Sequence, residues 1–302
     1  MKKILVLHYS QTGQLTEIVN QFIGPLEKEF SVDSVVIQPV QPFPFPWTTE
    51  TFFDIMPETY MEEPVPIQTP TFKEDAYDLI ILGYQPWFLS PSLPTTSIVK
   101  SEWFKKLAKG KPVVTLIGAR NMWLNANRKL RRQFDEVGCR HVGNIPLYDK
   151  HNNLVSGVTI VHWMFTGQKT KKWNIFPRPG VTNDDIKNVK EEGQLLSTTM
   201  QNGQLEQFQE KAVALEKMKI PTPIWFIESR AKKLFRIWAE IIKRKGTTPK
   251  KRKKWVKIYQ YYLVFALFIL SPIVVLIFSI FVRPFIFLRI REDKLKILKL
   301  QK

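Results

Sequence analysis

Apolar positions along the first 217 residues follow two rhythms. Short apolar runs of the kind that form buried strands occupy residues 4–7, 34–37, 78–83, 112–118 and 141–147. Between the first two runs, Leu15, Ile18, Val19, Phe22, Ile23 and Leu26 recur at helical spacing, which predicts a helix over 14–30. Strand signals alternating with helix signals are the pattern of an α/β fold built on a doubly wound parallel sheet. Ligands of such sheets collect at the carboxyl ends of the strands. Residues 155–165 read as a further strand. A helical stretch capped at Asn183 or Asp184, interrupted near Gly193 and Gly203, runs to Met218 and is expected to cover the sheet.

Two regions break this rhythm. Residues 39–70 hold eight prolines among aromatic and acidic residues, so this insertion is expected to lack regular structure and to form a lid or an entrance. Its apolar residues, Phe43, Phe45, Trp47, Phe52, Phe53, Ile55 and Met56, suit a greasy ligand or a membrane-facing mouth. Near the C-terminus, Ile227, Ala231, Leu234, Phe235, Trp238, Ile241 and Ile242 share one helical face of 223–245, with basic residues elsewhere, the pattern of an in-plane interfacial helix. Residues 258–282 then form an uncharged run of 25 residues, about 37 Å as a helix and long enough to cross a hydrocarbon core of about 30 Å. Ser271-Pro272 stands near its middle, where a helix would kink or fold back. The chain thus divides into a sheet domain (1–217), a basic amphipathic helix and linker (218–257), a transmembrane or re-entrant segment (258–288) and a basic tail (289–302).

Charge follows the same division. The net charge of +18 resembles a nucleic-acid signal until it is mapped: residues 1–217 carry 24 Lys+Arg against 23 Asp+Glu, and residues 218–302 carry 21 against 4. The excess belongs beside the apolar run, where Lys and Arg attract anionic headgroups, so the expected partner is a lipid bilayer and not nucleic acid. Trp255, Tyr259, Tyr261 and Tyr262 add an aromatic belt. The heavier basic cluster precedes the run, which places the sheet domain on the cytoplasmic face of the membrane. The one cysteine, Cys139, fits a reducing compartment and reads as a small buried residue. His8, His141, His151 and His162 lack metal-ligand spacing, and no Ser/His/Asp set can be assigned.

The chemistry concentrates where the first strand enters the first helix. Ser10 and Thr12 offer hydroxyls, Gly13 lets backbone approach an anion, and a helix starting near Gln14 aims unpaired N–H groups at it. The absence of a Gly-x-x-x-x-Gly-Lys or Gly-x-Gly-x-x-Gly pattern argues against a triphosphatase and a dinucleotide fold, leaving a monophosphate cradle.

On these residues the chain resembles the flavodoxin-like superfamily, whose first loop, Ser/Thr-x-Thr-Gly-x-Thr, holds the phosphate of FMN. Ser10, Thr12 and Gly13 match; Gln14 stands where Asn is common and Leu15 replaces the last Thr, with Gln11 between the hydroxyls. The resemblance implies two further loops against the flavin ring. One is Pro86, Trp87, Phe88 and Leu89 after the third strand, and the other is Ala119, Arg120, Asn121, Met122 and Trp123 after the fourth. Trp87 or Phe88 and Trp123 are candidates to stack on the ring, and Arg120 to place a positive charge at its pyrimidine edge.

The opening sequence, Pro-rich insertion and hydrophobic C-terminus also resemble flavodoxin-like proteins of aryl-polyene and flexirubin-type pigment gene clusters, labelled dialkylresorcinol condensing enzymes. That resemblance implies work on a lipophilic polyketide intermediate, either its condensation and cyclisation or an aromatising redox step, beside a partner ketosynthase. The alternatives are an FMN-dependent NAD(P)H:quinone oxidoreductase, with NAD(P)H as donor, and a non-catalytic flavodoxin-fold scaffold at the membrane.

Overall fold

The computed structural model describes residues 1–301. Five parallel strands, β1 (Lys3–His8), β2 (Ser31–Val36), β3 (Leu79–Tyr84), β6 (Pro112–Ala119) and β7 (Arg140–Tyr148), form one sheet in the order β2-β1-β3-β6-β7. The two-residue strands β4 (Pro86–Trp87) and β5 (Ser90–Pro91) make a separate ribbon beside it. Without the ribbon this is the 2-1-3-4-5 order of a flavodoxin-like, doubly wound sheet. β1 pairs Ile4 with Val32 on one side and with Leu79 on the other, so it is the strand at which the winding reverses.

The period-2 rule separates its side chains cleanly. Ile4 and Val6 join a core with α1 (Gln14–Ile23), α8 (Asn183–Asn188), α9 (Lys190–Gln201) and α10 (Phe208–Ala214). Leu5 and Leu7 join the opposite core with α4 (Leu93–Lys100), α5 (Glu102–Ala108) and α6 (Leu124–Val137). Gly193 is what lets α9 approach α1: a Cβ there would meet the Phe22 carbonyl oxygen at 2.0 Å.

Several expectations need correction. The first helix ends at Ile23 and not at residue 30, because Gly24-Pro25 stops it and turns carry the chain to Phe30. Residues 155–165 are not a strand but part of α7 (Asn153–Thr166), capped by the Asn152 side chain on the Leu154 N–H and ended by Gly167 at φ 72°. Its β-branched content imitates a strand, yet Ser156, Thr159 and Trp163 are buried at helical spacing. The Pro-rich insertion holds two short helices, α2 (Thr49–Asp54) and α3 (Met56–Tyr60), in the one stretch between Pro46 and Pro64 where Pro57 falls in a first turn.

Beyond the sheet domain, α11 (Thr222–Lys245) runs antiparallel to a long helix made of α12 (Pro249–Phe265), a π-turn (Ala266–Leu270) and α13 (Ser271–Phe281). Ser271-Pro272 does not fold the chain back. The π-turn, in which the Ser271 N–H reaches the Ala266 carbonyl, widens the helix and accommodates the proline in the first turn of α13. The helix Pro249–Phe281 contains a stretch long and apolar enough to cross a membrane. The basic tail lies in α14 (Arg283–Leu298) and the residues after it; α14 leads back to the sheet domain, where Ile297 is buried in the core containing Phe134 and Tyr148.

Candidate functional site

A cavity of about 500 Å³ lies at the carboxyl end of the sheet, between the β1, β3 and β6 loops below and α7, α11 and α12–α13 around and above. Of the sequence candidates, Gln11, Thr12, Gln14, Leu15, Pro86, Trp87, Phe88, Leu89, Ala119, Arg120 and Met122 line it. Ser10, Gly13 and Trp123 do not, and Trp123 is packed in the core with Leu124 and Phe134 of α6. Asn121 is also turned away, its amide donating to Asn153 Oδ1 (3.1 Å) and Ser156 Oγ (3.0 Å), so it latches the start of α7 to the third loop.

The first loop has the features of an anion cradle. Gly13 sits at φ 82° and gives α1 no capping side chain; the Gln14 N–H reaches Thr12 Oγ1 at 3.5 Å, and the next N–H groups of the first turn are left directed at the loop. Ser10 Oγ is buried and has no hydrogen-bond partner among the described residues, which is costly unless a ligand supplies one. The Gln14 side chain is committed elsewhere, accepting from the Val181 N–H and donating to the Val181 carbonyl, both at 3.0 Å. Only its backbone is therefore free to face an anion. Leu15 is core, and a Cβ on Gly118 would touch its Cδ1 at 3.4 Å. Gln11 ties the loop to the insertion by donating to the Pro44 carbonyl at 2.8 Å, while Tyr9 donates to its amide oxygen.

The second loop is the β4–β5 ribbon, and its turn is strained. Phe88 (φ 45°) and Leu89 (φ 61°) both occupy the left-handed region that such two-residue turns normally give to Asn and Gly. Bulky residues held there cost on the order of 1–2 kcal/mol each, and such strain clusters at ligand sites. The turn aims both side chains into the cavity. Lys129 anchors it through Ser90 Oγ at 2.8 Å. Trp87 closes an aromatic box with Tyr9, Phe43 and Trp47, meeting each edge-to-face at 5.2–6.0 Å between centroids.

Two cations line the cavity, the exposed Arg230 of α11 and Arg120, whose guanidinium is buried. Arg120 Nη1 donates to the Asn153 carbonyl at 3.1 Å, and burial pulls the guanidinium down to about 10, partly offset by Asp149 and Glu228. It stays cationic at neutral pH. Glu228, on α11 and 1% exposed, accepts the Leu124 and Asn125 N–H groups at 3.1 and 2.8 Å. It thereby caps α6 from outside, and burial lifts its carboxyl to about 7 against the pull of those donors. His8, His141 and Cys139 are held neutral by burial. Burial lowers His8 to about 4 and His141 to about 3, and raises the Cys139 thiol to about 12. No group of three or more potential metal ligands occurs among the described residues.

Much of the wall was missed in the sequence. Gly157, Ile160, Trp163 and Met164 of α7 lie in a strand-like sequence, and Tyr259, Leu263, Leu267 and Val274 in or beside an apolar run with a lipid-facing pattern. The α11 face was legible as a stripe, but it turns Ile227, Ala231, Leu234, Phe235 and Trp238 toward the cavity.

No protein-family model and no curated protein sequence matches the chain. Among solved structures it is similar to a Lactobacillus acidophilus flavoprotein in complex with FMN, at 17% identity and TM-score 0.40, covering 48% of this chain and 93% of that one. It is also similar to a putative flavoprotein from Bacteroides eggerthii, at 17% identity and TM-score 0.41, covering 50% and 91%. A flavodoxin from the domain Archaea matches at 13% identity and TM-score 0.36, covering 66% and 99%. The likeness is one of fold.

Proposed function

We propose that the chain is an FMN-binding flavoprotein that carries out a redox step on a lipophilic, ring-forming substrate at a membrane. The observation that supports it most is the orphaned Ser10 hydroxyl at the uncapped start of α1, at the strand where the sheet reverses. Ser10, Thr12 and the backbone N–H groups of 12–15 would hold the phosphate. Phe88, Leu89, Trp87 and Met122 would bound the ring, and Arg120 would face its electron-rich edge. When bound, FMN supplies one- and two-electron transfer.

The chain's own residues do the rest: the aromatic box and α7 exclude water, and the apolar walls from α11 to α13 accept a greasy substrate. A polyketide-derived ring precursor of the dialkylresorcinol type fits that reading. Carbon–carbon condensation is assigned to a partner ketosynthase, because the buried Cys139 thiol is no nucleophile near neutral pH. Making such a ring aromatic takes electrons from the substrate, so NAD(P)H as donor belongs to the alternative, quinone-reducing reading; the anionic, cytoplasmic leaflet is the expected membrane face. Titration of FMN and riboflavin into flavin-stripped protein tests the reading. FMN should bind markedly tighter than riboflavin, through the phosphate; absence of binding by either returns the chain to a scaffold.

A further inference from the structure

The helix α12–α13 is long enough to span a bilayer, but both of its ends are fastened to the same domain. At its start Arg252 bonds Asp54 at 2.6 Å and Glu58 at 2.8 Å, and Lys253 pairs with Glu50 at 3.1 Å. At its end Phe278 stacks on Phe226 of α11, centroids 3.9 Å apart and rings 11° from parallel. Just beyond, Trp225 donates to Asp293 of α14, and Ile297 enters the sheet core. The 33 residues of Pro249–Phe281 cover about 50 Å across the face of one domain. A spanning helix would put these two ends on opposite sides of about 30 Å of hydrocarbon.

One side of this helix roofs the cavity with Tyr259, Leu263, Leu267 and Val274. The other side carries a continuous apolar stripe at helical spacing, Tyr261, Phe265, Ile269, Ile273, Leu276 and Ile280, each at least half exposed. Phe285, 84% exposed, extends it onto α14. Exposed lysines and arginines border it at both ends: Lys250, Lys251, Lys254 and Lys257, then Arg283, Arg289 and Arg291, none ion-paired among the described residues. Beside the far end, Arg283, Arg291, Lys294 and Thr222 share a cleft of about 370 Å³ with Phe287 and Ile290, and no carboxylate lines it. Cations without counter-ions next to exposed aromatic rings have the chemistry of an acyl-chain and headgroup boundary.

We infer that α12–α14 lies in the plane of an anionic phospholipid leaflet, not across a bilayer, with the stripe at acyl-chain level and a lipid phosphate in the Arg283–Arg291–Lys294 cleft. The inference rests on the proposed membrane function and deepens it: a lipophilic substrate reaches the cavity from the leaflet past the roof.

The test uses the full-length protein added to sealed vesicles of phosphatidylcholine, with or without phosphatidylglycerol. Flotation should be strong with phosphatidylglycerol, and Arg283→Glu with Arg291→Glu should weaken it at least about tenfold. Equal flotation of that variant overturns the headgroup cleft. In separate variants, Lys251→Cys and Glu292→Cys should both react fully with an impermeant maleimide, and a bimane at Ile273→Cys should be quenched better by shallow than by deep nitroxide lipids. Protection of one cysteine until detergent is added, or deep quenching at 273, overturns the in-plane placement and leaves the membrane function standing. No flotation with either vesicle, with the stripe buried in a dimer, removes both.

Discussion

In the sheet, β3 buries all six of its residues, and β1 sends Ile4 and Val6 to one core and Leu5 and Leu7 to the other. In the roof, α13 buries only Phe278, and Ile273, Leu276 and Ile280 stay open. Both segments are equally apolar in sequence, so what separates them is whether a second layer covers them. The sheet is covered on both faces by its own helices. The roof is covered on one face only, and its uncovered face is the argument for a lipid partner. The cavity sits at the seam, its floor from the sheet loops and its ceiling from the roof.

The largest effect expected from breaking this pairing comes from deleting residues 218–302. Ile220 and Ile297 leave the α5–α6 core, each at about 1.5–3 kcal/mol. A loss on the order of 5 kcal/mol is a large share of a domain's stability, and the melting temperature should fall by about 10–20 °C. A truncated domain melting where the full chain does would show that the roof is only an attachment.

Glu228 sharpens the comparison without cutting the chain. Its folded pKa, about 7, lies above the ordinary 4.5, so the unfolded state ionises first and the buried carboxylate opposes folding. The penalty is absent below about pH 4.5, grows as pH rises, and is complete above about 7, where it approaches roughly 3 kcal/mol. Glu228→Gln removes the ionisation, so the stability difference between wild type and variant should change across pH 4.5–7 and be flat above it. Parallel pH dependences in thermal melts of the two proteins would mean that Glu228 stays ionised and serves the α6 cap alone.

The sheet was legible because its period-2 strands and the Ser10–Gly13 loop carry local signals: small residues, hydroxyls and a glycine that takes φ 82°. The third loop was half legible. Arg120 and Met122 reach the cavity, but Trp123 two positions from Asn121 enters the core, because the register at which a loop becomes helix decides the side and that register is set by Glu228 from α11. The wall from α7 was hidden by residues 158–161, Val-Thr-Ile-Val, whose strand propensity yields to the Asn152 and Gly167 caps. The roof was invisible as a roof, since an apolar run reads the same whether lipid or cavity faces it.

Within the sheet loop the expected effects are smaller. Ser10→Ala should weaken FMN binding by about 1–3 kcal/mol, about 5- to 150-fold, and leave riboflavin binding unchanged because riboflavin has no phosphate. Gly13→Val should abolish FMN retention through backbone strain, not crowding: nothing lies within 4 Å of a Cβ there, but a β-branched residue is excluded from φ 82°. Equal loss of riboflavin and FMN affinity in Ser10→Ala would mean that the loop is structural and that the cradle holds no phosphate.

The smallest expected effect tests whether roof and sheet act on one ligand. Arg120 lies on the sheet side of the cavity, yet Glu228 from α11 is one of the two carboxylates that help keep it cationic. Beside a flavin ring its charge favours the reduced, more negative form, so Arg120→Ala should make the two-electron midpoint potential more negative. At an effective dielectric near 20 and about 4 Å, the interaction is at most about 4 kcal/mol. Competition from the Asn153 carbonyl and the two carboxylates leaves about 1–2 kcal/mol, roughly 20–40 mV. Glu228→Gln removes one of the opposing charges and should shift the potential the other way, by less. Redox titrations of FMN-loaded variants that coincide with wild type would separate Arg120 from the ring and leave the third loop as the latch of α7.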